Sequence, residues 1–355
     1  MYDQKQLKKL ISPLLSWYEK NKRPLPWRND PTPYHVWISE IMLQQTRIEA
    51  VIPYYERFLR ELPDIASLAA VPDDRLMKLW EGLGYYSRAR NLKKAACALM
   101  EKYGGQLPDS AEELRRLSGI GDYTAGAIAS ISFGKPEPAV DGNVLRVIMR
   151  YLGKTDDIAL QATKKETAAA LRAVYPSGNA ASNLTQAIME LGESVCIPNG
   201  QPKCECCPLS SLCVAKTENL TDSIPVKSPK KPRKQEPKTV FLLSCRGAFA
   251  ICRRPETGLL AKLWEFPNTD QRLSEEEARD YLSVLGLAPV GISPCGEAVH
   301  IFTHIEWHMT GYAAECLYPS EAFIWRSAEE ILSDYAIPSA FRAYVSYIKK
   351  QQKGH

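Results

Sequence analysis

Two carboxylates in the N-terminal half of the chain have the surroundings that acid–base or electrostatic chemistry needs. Glu40 lies in a predicted helix among the apolar residues Ile38, Ile41 and Met42. Apolar surroundings favour the protonated form of a carboxyl group, which suits a general acid. Asp141 precedes another predicted helix, where a carboxylate can cap the helix and still face a cleft. The alternatives are an exposed helical glutamate and a purely structural N-cap.

A cluster of cysteines follows these carboxylates, with five of the ten cysteines of the chain between Cys196 and Cys213. Local clustering in a chain of this length favours a metal centre over a disulfide framework. Cys196, Cys204, Cys207 and Cys213 are separated by seven, two and five residues. Four thiolates can hold a 4Fe–4S cluster or zinc, and Cys206 is a rival ligand. The spacing alone leaves iron–sulfur, zinc and no metal open.

A glycine-containing turn, Gly119-Ile120-Gly121, joins two predicted helices, the first of which is expected to end at Leu117. Glycines permit a tight turn with accessible backbone N–H groups, and the start of the following helix favours an anion. The pattern therefore predicts a site that binds one DNA phosphate. A plain helix–helix turn is the alternative.

The composition describes a folded chain without a membrane span. Of its 355 residues 45% are apolar and 24% charged, which excludes a largely disordered protein. No run of eighteen apolar residues occurs, and a formal charge of +4 is compatible with a polyanionic partner. The N-terminal segment predicts an amphipathic helix and lacks a signal-peptide cleavage site, so we expect a cytoplasmic protein. The apolar face of that helix consists of Leu7, Leu10, Ile11, Leu14 and Leu15.

The hydrophobic pattern divides the chain into three parts. Apolar residues three and four apart predict helices over residues 1–216, whereas period-two alternation at 239–245 and 247–254 predicts strands. The second domain, residues 239–355, is therefore α+β. Residues 217–238 are rich in proline and basic residues, which predicts an extended linker that is a solvated tether or makes a supplementary phosphate contact. Its cations include Lys227, Lys230, Lys231, Arg233, Lys234 and Lys238.

The second domain also contains three regularly spaced histidines. A helix is predicted at 274–285, and residues 300–309 alternate as one strand would. His300, His304 and His308 would share one face of that strand. They would span roughly 27 Å end to end, which is too wide for one metal ion.

Several motifs in a fixed order resemble the helix-hairpin-helix superfamily of DNA glycosylases. The finer resemblance is to the adenine DNA glycosylases of the MutY type, which remove adenine mispaired with 8-oxoguanine. It implies an all-α helix-hairpin-helix glycosylase domain with a 4Fe–4S cluster loop, followed by an α+β Nudix-like C-terminal domain. The motifs are LPWR (25–28), SEIMLQQTR (39–47), GLGYYSRARNL (82–92), GIGDYTAGAIAS (119–130), AVDGNVLRV (139–147) and GLLAKLWEFP (258–267).

The resemblance also implies how the helical domain is divided and what it holds. A six-helix module would occupy about 22–131, and an iron–sulfur module about 1–21 plus 132–216. The 4Fe–4S cluster would be bound by Cys196, Cys204, Cys207 and Cys213. The family usually has six residues between the first two ligands, whereas this chain has seven. The partner would be double-stranded DNA with an A:8-oxoguanine or A:G mispair, bound by a monomer in the cytoplasm at the bacterial nucleoid.

Catalytic roles follow from the same resemblance. Glu40 would protonate N7 of an extruded adenine, and ionised Asp141 would stabilise the oxocarbenium-like sugar or bond to it transiently. Tyr123 and Asn143 match positions that support this site by hydrogen bonds. The endonuclease III branch has lysine where this chain has Tyr123. Because a phenol cannot form an imine, we expect a monofunctional glycosylase.

Two further groups of residues match DNA-contacting positions of the family. Gln45, Leu83 and Tyr85 match residues that probe and wedge into the duplex, although ordinary helix packing also explains Leu83 and Tyr85. In the second domain Phe302-Thr303-His304 stands where the family has Phe-Ser-His, the motif that recognises the oxidised guanine. Threonine keeps the hydroxyl group, so recognition is expected to survive. Glu275, Glu276 and Glu277 do not reproduce the metal-binding box of Nudix hydrolases.

Two other functions compete with the adenine glycosylase. A bifunctional glycosylase and lyase acting on pyrimidine damage is disfavoured by Tyr123 and by the extra domain. A catalytically silent lesion-binding protein is disfavoured because both carboxylates, Glu40 and Asp141, are present.

Overall fold

Helices form the chain as far as residue 217, and a sheet begins at residue 234 in the computed structural model, which describes residues 2–229 and 232–353. The chain divides into two units. The helical unit comprises residues 2–70 and 90–229, and the mixed unit comprises residues 71–89 and 232–353. Lys230 and Lys231 of the predicted linker lie outside the described residues.

The first fourteen helices run as follows: α1 (Gln4–Lys9), α2 (Ile11–Asn21), α3 (Pro26–Asn29), α4 (Pro33–Leu43), α5 (Ile48–Glu61), α6 (Ile65–Ala70), α7 (Asp73–Trp80), α8 (Ser87–Lys102), α9 (Ala111–Leu114), α10 (Asp122–Ile131), α11 (Gly142–Leu152), α12 (Gln161–Arg172), α13 (Asn179–Ser194) and α14 (Val214–Thr217). α7 and the first residues of α8 fall in the mixed unit. The predicted N-terminal helix is two helices that meet at Leu10. Its face is buried at Leu7, Leu10 and Leu14, with Ile11 and Leu15 partly buried. No helix of the described residues is long and apolar enough to cross a membrane.

Small residues bury α10 in the centre of the helical unit, where it packs against α4, α9 and α13. Residues 124–130 of this helix are all buried. A side chain at Gly126 would place its Cβ 2.5 Å from the carbonyl oxygen of Pro138. The run of glycine and alanine is therefore required for this close packing.

The helix before the glycine turn ends at Leu114, three residues earlier than the predicted Leu117. Backbone bonds from Leu117 to Leu114 and from Ile120 to Leu117 tighten the chain into turns there. Gly119 has φ +79°, and a Cβ at this position would lie 2.7 Å from that of Asn91. Glycine is needed at this position because both the backbone angle and the neighbour exclude a side chain.

The mixed unit contains a seven-stranded sheet with the order β3-β2-β1-β6-β5, in which β4 also pairs with β1 and β7 with β2. β1 and β6 are parallel, and the other pairs are antiparallel. The elements are β1 (Lys234–Cys245), β2 (Ala248–Arg253), β3 (Trp264–Glu265), β4 (Asn268–Thr269), α15 (Glu275–Val284), β5 (Pro289–Ile301), β6 (Ile305–Cys316), β7 (Ile324–Ser327), α16 (Ala328–Asp334) and α17 (Arg342–Lys353). The strands predicted at 239–245 and 247–254 and the helix predicted at 274–285 are confirmed.

Each face of this sheet is covered by an apolar core. Val240 and Leu242 of β1 belong to one core cluster with residues of α16 and α17. Phe241 and Leu243 belong to a second cluster with residues of α15. Successive side chains of a strand point to opposite faces, so the continuous apolar run of β1 is buried on both sides.

β1 begins at Lys234, inside the range predicted as linker, because its first residues pair with β6 from the Lys234–Ile305 register onward. Pro237 is accommodated there since the pairs of β1 with β4 and β2 begin only at Thr239 and Ser244. Proline lacks an N–H group and is tolerated where a strand has one neighbour.

The prediction of one strand over 300–309 is wrong. Residues 302–304 form a turn, and β5 and β6 pair on either side of it with His300 opposite Trp307 and Val299 opposite His308. Opposed residues share a face and successive residues alternate, so His300 and His308 lie on opposite faces of the sheet. The two histidines therefore cannot share one metal ion across this hairpin.

Candidate active site

Glu40 lies in the last turns of α4 with its side chain buried, 6% exposed, so the predicted burial is confirmed. Burial above all, and to a smaller extent nearby Asp141, raises the pKa of its carboxyl group to about 7. The hydrogen bond from Tyr123 and the positive charge of Arg28 oppose this rise. A carboxyl group with this pKa holds or releases a proton near neutral pH, as a general acid–base group must.

Tyr123 is the second residue of α10 and approaches Glu40 from the start of that helix. Its hydroxyl donates to Glu40 Oε2 at 2.7 Å. Burial and the neighbouring carboxylates, Glu40 first among them, hold the pKa of Tyr123 far above its usual range. Tyr123 therefore stays a neutral donor and orients the carboxyl group without exchanging a proton with it.

Asp141 is the N-cap of α11, as its position before the helix predicted. Its Oδ1 accepts from the backbone N–H of Val144 at 2.8 Å, and Asn143 Nδ2 donates to its Oδ2 at 3.1 Å. Burial raises the pKa of Asp141 above its ordinary value, although hydrogen bonds from the backbone of Val144 and Asn143 and the charge of Arg146 oppose this rise. Both carboxylate oxygens are thus held by donors that favour the ionised form.

Glu40, Tyr123, Asp141 and Asn143 line one cleft of the helical unit with about 750 Å³ of empty space. One wall of this cleft comes from α13 and was not predicted from the sequence. Its residues are spaced at i, i+3, i+4 and i+7 and therefore share one helix face. This wall consists of Gln186, Met189, Glu190 and Glu193.

Glu190 of this wall belongs to an ion-paired cluster that was also not predicted from the sequence. Arg28, from the LPWR motif, pairs with buried Glu190 through Nη2 and Oε2 at 2.7 Å. Arg23 pairs with the same carboxylate. A buried carboxylate needs such partners, because an unpaired charge is costly away from water.

The four predicted cysteine ligands line a separate cavity of the helical unit with about 420 Å³ of empty space. The rival Cys206 is exposed and does not line this cavity. Burial raises the pKa of Cys207 to about 12 and that of Cys204 and Cys213 in the same direction. Arg150 Nη1 donates to Cys196 Sγ at 3.4 Å. The donor set is therefore four thiols beside two cations, Arg150 and Lys216.

Across the described ranges, 2–229 and 232–353, no three His, Cys, Asp or Glu side chains are grouped closely enough to hold one metal ion. In a cubane cluster each thiolate binds a different iron, so its ligands stand farther apart than those of a single ion. Four cysteines around a cavity fit that donor arrangement.

Arg146 connects the cleft with the cysteine loop. Its Nη2 donates to Asn143 Oδ1 at 2.9 Å and to the carbonyl of Gly192 at 2.6 Å. Its Nε donates to the carbonyl of Cys196 at 2.7 Å. Asn143, which donates to Asp141, thus accepts a hydrogen bond from Arg146. Arg146 in turn donates to the backbone of Cys196, the first cysteine of the loop.

The remaining sequence-predicted residues of the helical unit lie near the start of α10 or the end of α4. Gln45 follows α4, is exposed and has φ +58°. Ile120 is buried, whereas Gly121 is the N-cap of α10. The glycine turn therefore presents the first backbone N–H groups of a ten-residue helix.

The mixed unit contains the other predicted DNA-contacting residues. Leu83 is buried, and Tyr85 is 46% exposed with φ +48°. The hydroxyl groups of Tyr85 and Thr303 lie 3.0 Å apart, so the structure brings these two residues together. Phe302, Thr303 and His304 form the turn between β5 and β6.

Two residues at the start of β1 donate hydrogen bonds to backbone carbonyl groups of that turn. Arg233 Nε donates to the carbonyl of Phe302 at 3.0 Å, and the N–H of Lys234 donates to the carbonyl of His304 at 3.0 Å. The ring of Phe302 contacts those of His300 and Trp307, with centroids 4.5 and 4.8 Å away. Hydrogen bonds to its backbone and ring contacts of Phe302 thus both stabilise the turn.

The two units match two known protein families. Residues 38–177 match the HhH-GPD superfamily of base excision DNA repair proteins, and residues 239–347 match the NUDIX domain. The helical unit also resembles the solved structure of a thermostable thymine-DNA glycosylase, with 30% identity and a TM-score of 0.54 over 60% of this chain and 98% of that one. The class is therefore a helix-hairpin-helix base excision repair protein with a Nudix-like domain. The predicted helical domain and the predicted Nudix-like domain are confirmed, whereas the 4Fe–4S loop stays a prediction.

Curated relatives narrow the class to one family. The chain is 34% identical to the adenine DNA glycosylase of Mus musculus over 97% of this chain and 79% of the relative. It is 35% identical to the adenine DNA glycosylase of Buchnera aphidicola over 87% of each. The chain belongs to the adenine DNA glycosylase family, as its motifs predicted.

Proposed function

We propose that the chain hydrolyses the N-glycosidic bond of adenine opposite 8-oxoguanine or guanine in duplex DNA, as a monofunctional glycosylase of base excision repair. The observation that carries this proposal is a pair of carboxyl groups in one cleft, Glu40 buried and Asp141 half-buried. Glu40 has a pKa of about 7, and Asp141 is held by donors on both oxygens. Burial raises the pKa of both groups, and the donors on both oxygens of Asp141 oppose that rise, so we assign Glu40 as the acid and Asp141 as the ionised group.

The chemistry then follows from these residues. Adenine must leave the stack to reach a buried acid, so it enters the cleft extruded. Glu40 donates its proton to adenine N7, and the bond to the sugar breaks as positive charge develops on the sugar. Asp141 stabilises that charge or bonds to the sugar transiently, as carboxylates do in retaining glycosidases. Water completes hydrolysis, with Glu40 as base.

Tyr123 separates this proposal from a glycosylase with lyase activity. A lyase needs an amine to form a Schiff base, and the side chain that contacts Glu40 is a phenol. The test is a duplex containing adenine opposite 8-oxoguanine, incubated with the protein and then treated with or without alkali. We expect strand breaks only after alkali and no covalent product with borohydride. Strand breaks without alkali would favour a bifunctional glycosylase and lyase. The absence of breaks under both conditions would favour a catalytically silent lesion-binding protein.

Tyr123→Phe is expected to move the pH dependence of base release. The hydrogen bond from Tyr123 lowers the pKa of Glu40, so its loss raises that pKa above 7. Since the protonated acid is the active form, the fall in rate at alkaline pH moves to higher pH. The rate at acidic pH changes by less than about tenfold, the size of one hydrogen bond. The measurement is the pH profile of adenine release.

The matched control for Tyr123→Phe is Tyr175→Phe. Tyr175 is buried and makes a hydroxyl contact of 2.8 Å with Thr185, but it does not line the cleft. We expect the wild-type pH profile for this variant. A profile of Tyr123→Phe that stays in place or moves to lower pH would contradict the proposed role.

We assign recognition of the oxidised guanine to the turn of Phe302, Thr303 and His304. The contact between Tyr85 and Thr303 supports this, because it brings residues of two DNA-contacting motifs together. Arg233 and Lys234 hold the turn in place. The Nudix-like unit would thus act in recognition, and we assign it no hydrolase activity.

The cysteine loop is proposed to hold a 4Fe–4S cluster at Cys196, Cys204, Cys207 and Cys213. Their common cavity and the exposed position of Cys206 support this set over its rival. A bound cluster would supply a redox-active, structure-stabilising centre. We expect iron and acid-labile sulfide in the purified protein, with visible absorption that Cys204→Ser abolishes and Cys206→Ser leaves intact. Zinc in place of iron would overturn the assignment.

We propose that the protein acts as a monomer in the cytoplasm, at the nucleoid, where the DNA it repairs lies. A complex of one chain per duplex in sedimentation analysis is the expected result.

A further inference from the structure

A second groove of the helical unit lies beside the glycine turn and is not used by the proposed chemistry except at Tyr123. It contains about 1440 Å³ of open space between the first turn of α10 and one face of α12. We call it the α12 groove. Gly121, Asp122 and Thr124 line its α10 side, and Lys164 and Lys165 line its α12 side.

The α12 groove is basic. Four cations line it, Arg115, Lys164, Lys165 and Arg172, against one acidic residue, Asp122. Two of these cations already have partners. Arg115 lies 3.7 Å from Asp122. Arg172 pairs with Glu137 at 2.8 Å.

Lys164 and Lys165 differ from those two arginines. No ion pair of either lysine occurs in the part of the chain that the structure describes. Both line the α12 groove, Lys164 half-buried and Lys165 exposed. Both ammonium groups therefore add positive charge to the groove that no protein carboxylate neutralises, and this charge would attract a polyanion.

The groove is continuous with the proposed DNA contacts of the helical unit. Gly121, which lines it, also belongs to the turn whose backbone N–H groups are predicted to bind a phosphate. Gln44, the neighbour of Gln45, lines the groove and donates to Thr124 at 3.3 Å. A DNA strand held at the turn would therefore bring neighbouring phosphates to α12.

We propose that Lys164 and Lys165 bind phosphates of the DNA strand next to those bound by the glycine turn. The α12 groove thereby extends the DNA interface beyond the hairpin. This inference rests on the proposed function, since it requires duplex DNA as the partner. The contact is with the backbone, so it adds affinity without reading sequence or lesion.

The test is binding of Lys164→Ala/Lys165→Ala to a duplex with a non-cleavable adenine analogue opposite 8-oxoguanine, measured by fluorescence anisotropy at several salt concentrations. Each phosphate contact adds about one to the slope of log affinity against log salt, so the double variant is expected to lose about two. Its affinity for a fully matched duplex falls by the same factor. The single-turnover rate at saturating enzyme stays at the wild-type value, because neither lysine lines the catalytic cleft.

The matched control is Lys8→Ala/Lys9→Ala, which removes two exposed lysines from the end of α1. It is expected to keep the wild-type slope. Equal slopes for the wild type and the α12 variant would overturn the inference, as would a loss confined to the lesion duplex. Failure of the wild type to bind any duplex would instead count against the proposed function, so the two failures are distinguishable.

Discussion

Glu40→Gln is expected to slow adenine release by about 10²–10⁴-fold, the contribution of a positioned general acid. Glutamine keeps the size of the side chain and can still accept the hydrogen bond from Tyr123. It has no proton to give to adenine N7, so the base would have to leave as an unprotonated, poor leaving group. Single-turnover release of adenine from an A:8-oxoguanine duplex measures the effect.

The control for this variant is its fold and its DNA affinity. Wild-type Glu40 has a pKa of about 7, above its ordinary value of 4.5, so the folded state binds this proton more tightly than the unfolded chain does. The wild type therefore loses stability through this group as pH rises from 4.5 to about 7, whereas the glutamine of the Glu40→Gln variant cannot ionise. We expect the variant to be at least as stable as the wild type above pH 7 and to bind the duplex. Base release at full speed would contradict the role of Glu40.

Asp141→Asn is expected to slow adenine release by about 10²–10³-fold, the usual effect of removing one electrostatic group aimed at a transition state. The substitution removes the negative charge that would face the developing cation of the sugar. It preserves the N-cap of α11, because asparagine caps helices about as well as aspartate. A loss of rate without a loss of stability therefore isolates the charge.

Asp141→Ala separates the two roles of this residue. Alanine cannot accept the hydrogen bond from the backbone of Val144, so this variant is expected to lose about 1 kcal/mol of stability in addition to activity. Thermal unfolding and base release are measured on both variants. Near wild-type release by Asp141→Asn would show that Asp141 is only a cap, and the proposed stabilisation of the sugar would fail.

The helices and strands could be predicted largely from hydrophobic periodicity, whereas their pairing could not. The apolar run at the start of the second domain predicts a strand, but its parallel pairing with β6 depends on contacts distant in sequence. The turn at residues 302–304 was missed for a related reason. Ile301 and Ile305 stand four residues apart on either side of it, so the period of two continues through the turn.

The candidate site could also be predicted only in part from the sequence. Glu40 and Asp141 could be proposed from their neighbours in the sequence, whereas Tyr123 was proposed only from the family resemblance of its motif. Glu190 and Arg28 were not assigned a role, since their importance comes from a pairing across 162 positions of the chain. The i, i+3, i+4, i+7 pattern of α13 is present in the sequence, but polar residues at such spacing are common on solvated helix faces.

The pH dependence of the second-order rate constant for adenine release tests the central claim most directly, because this constant reports groups of the free enzyme. With the pKa of Glu40 at about 7, the rate constant is expected to be high below that pH and to fall tenfold per pH unit above it. The descending limb is expected to be absent from Glu40→Gln. A wild-type rate constant that stays level or rises through neutral pH would contradict a buried acid as the proton donor.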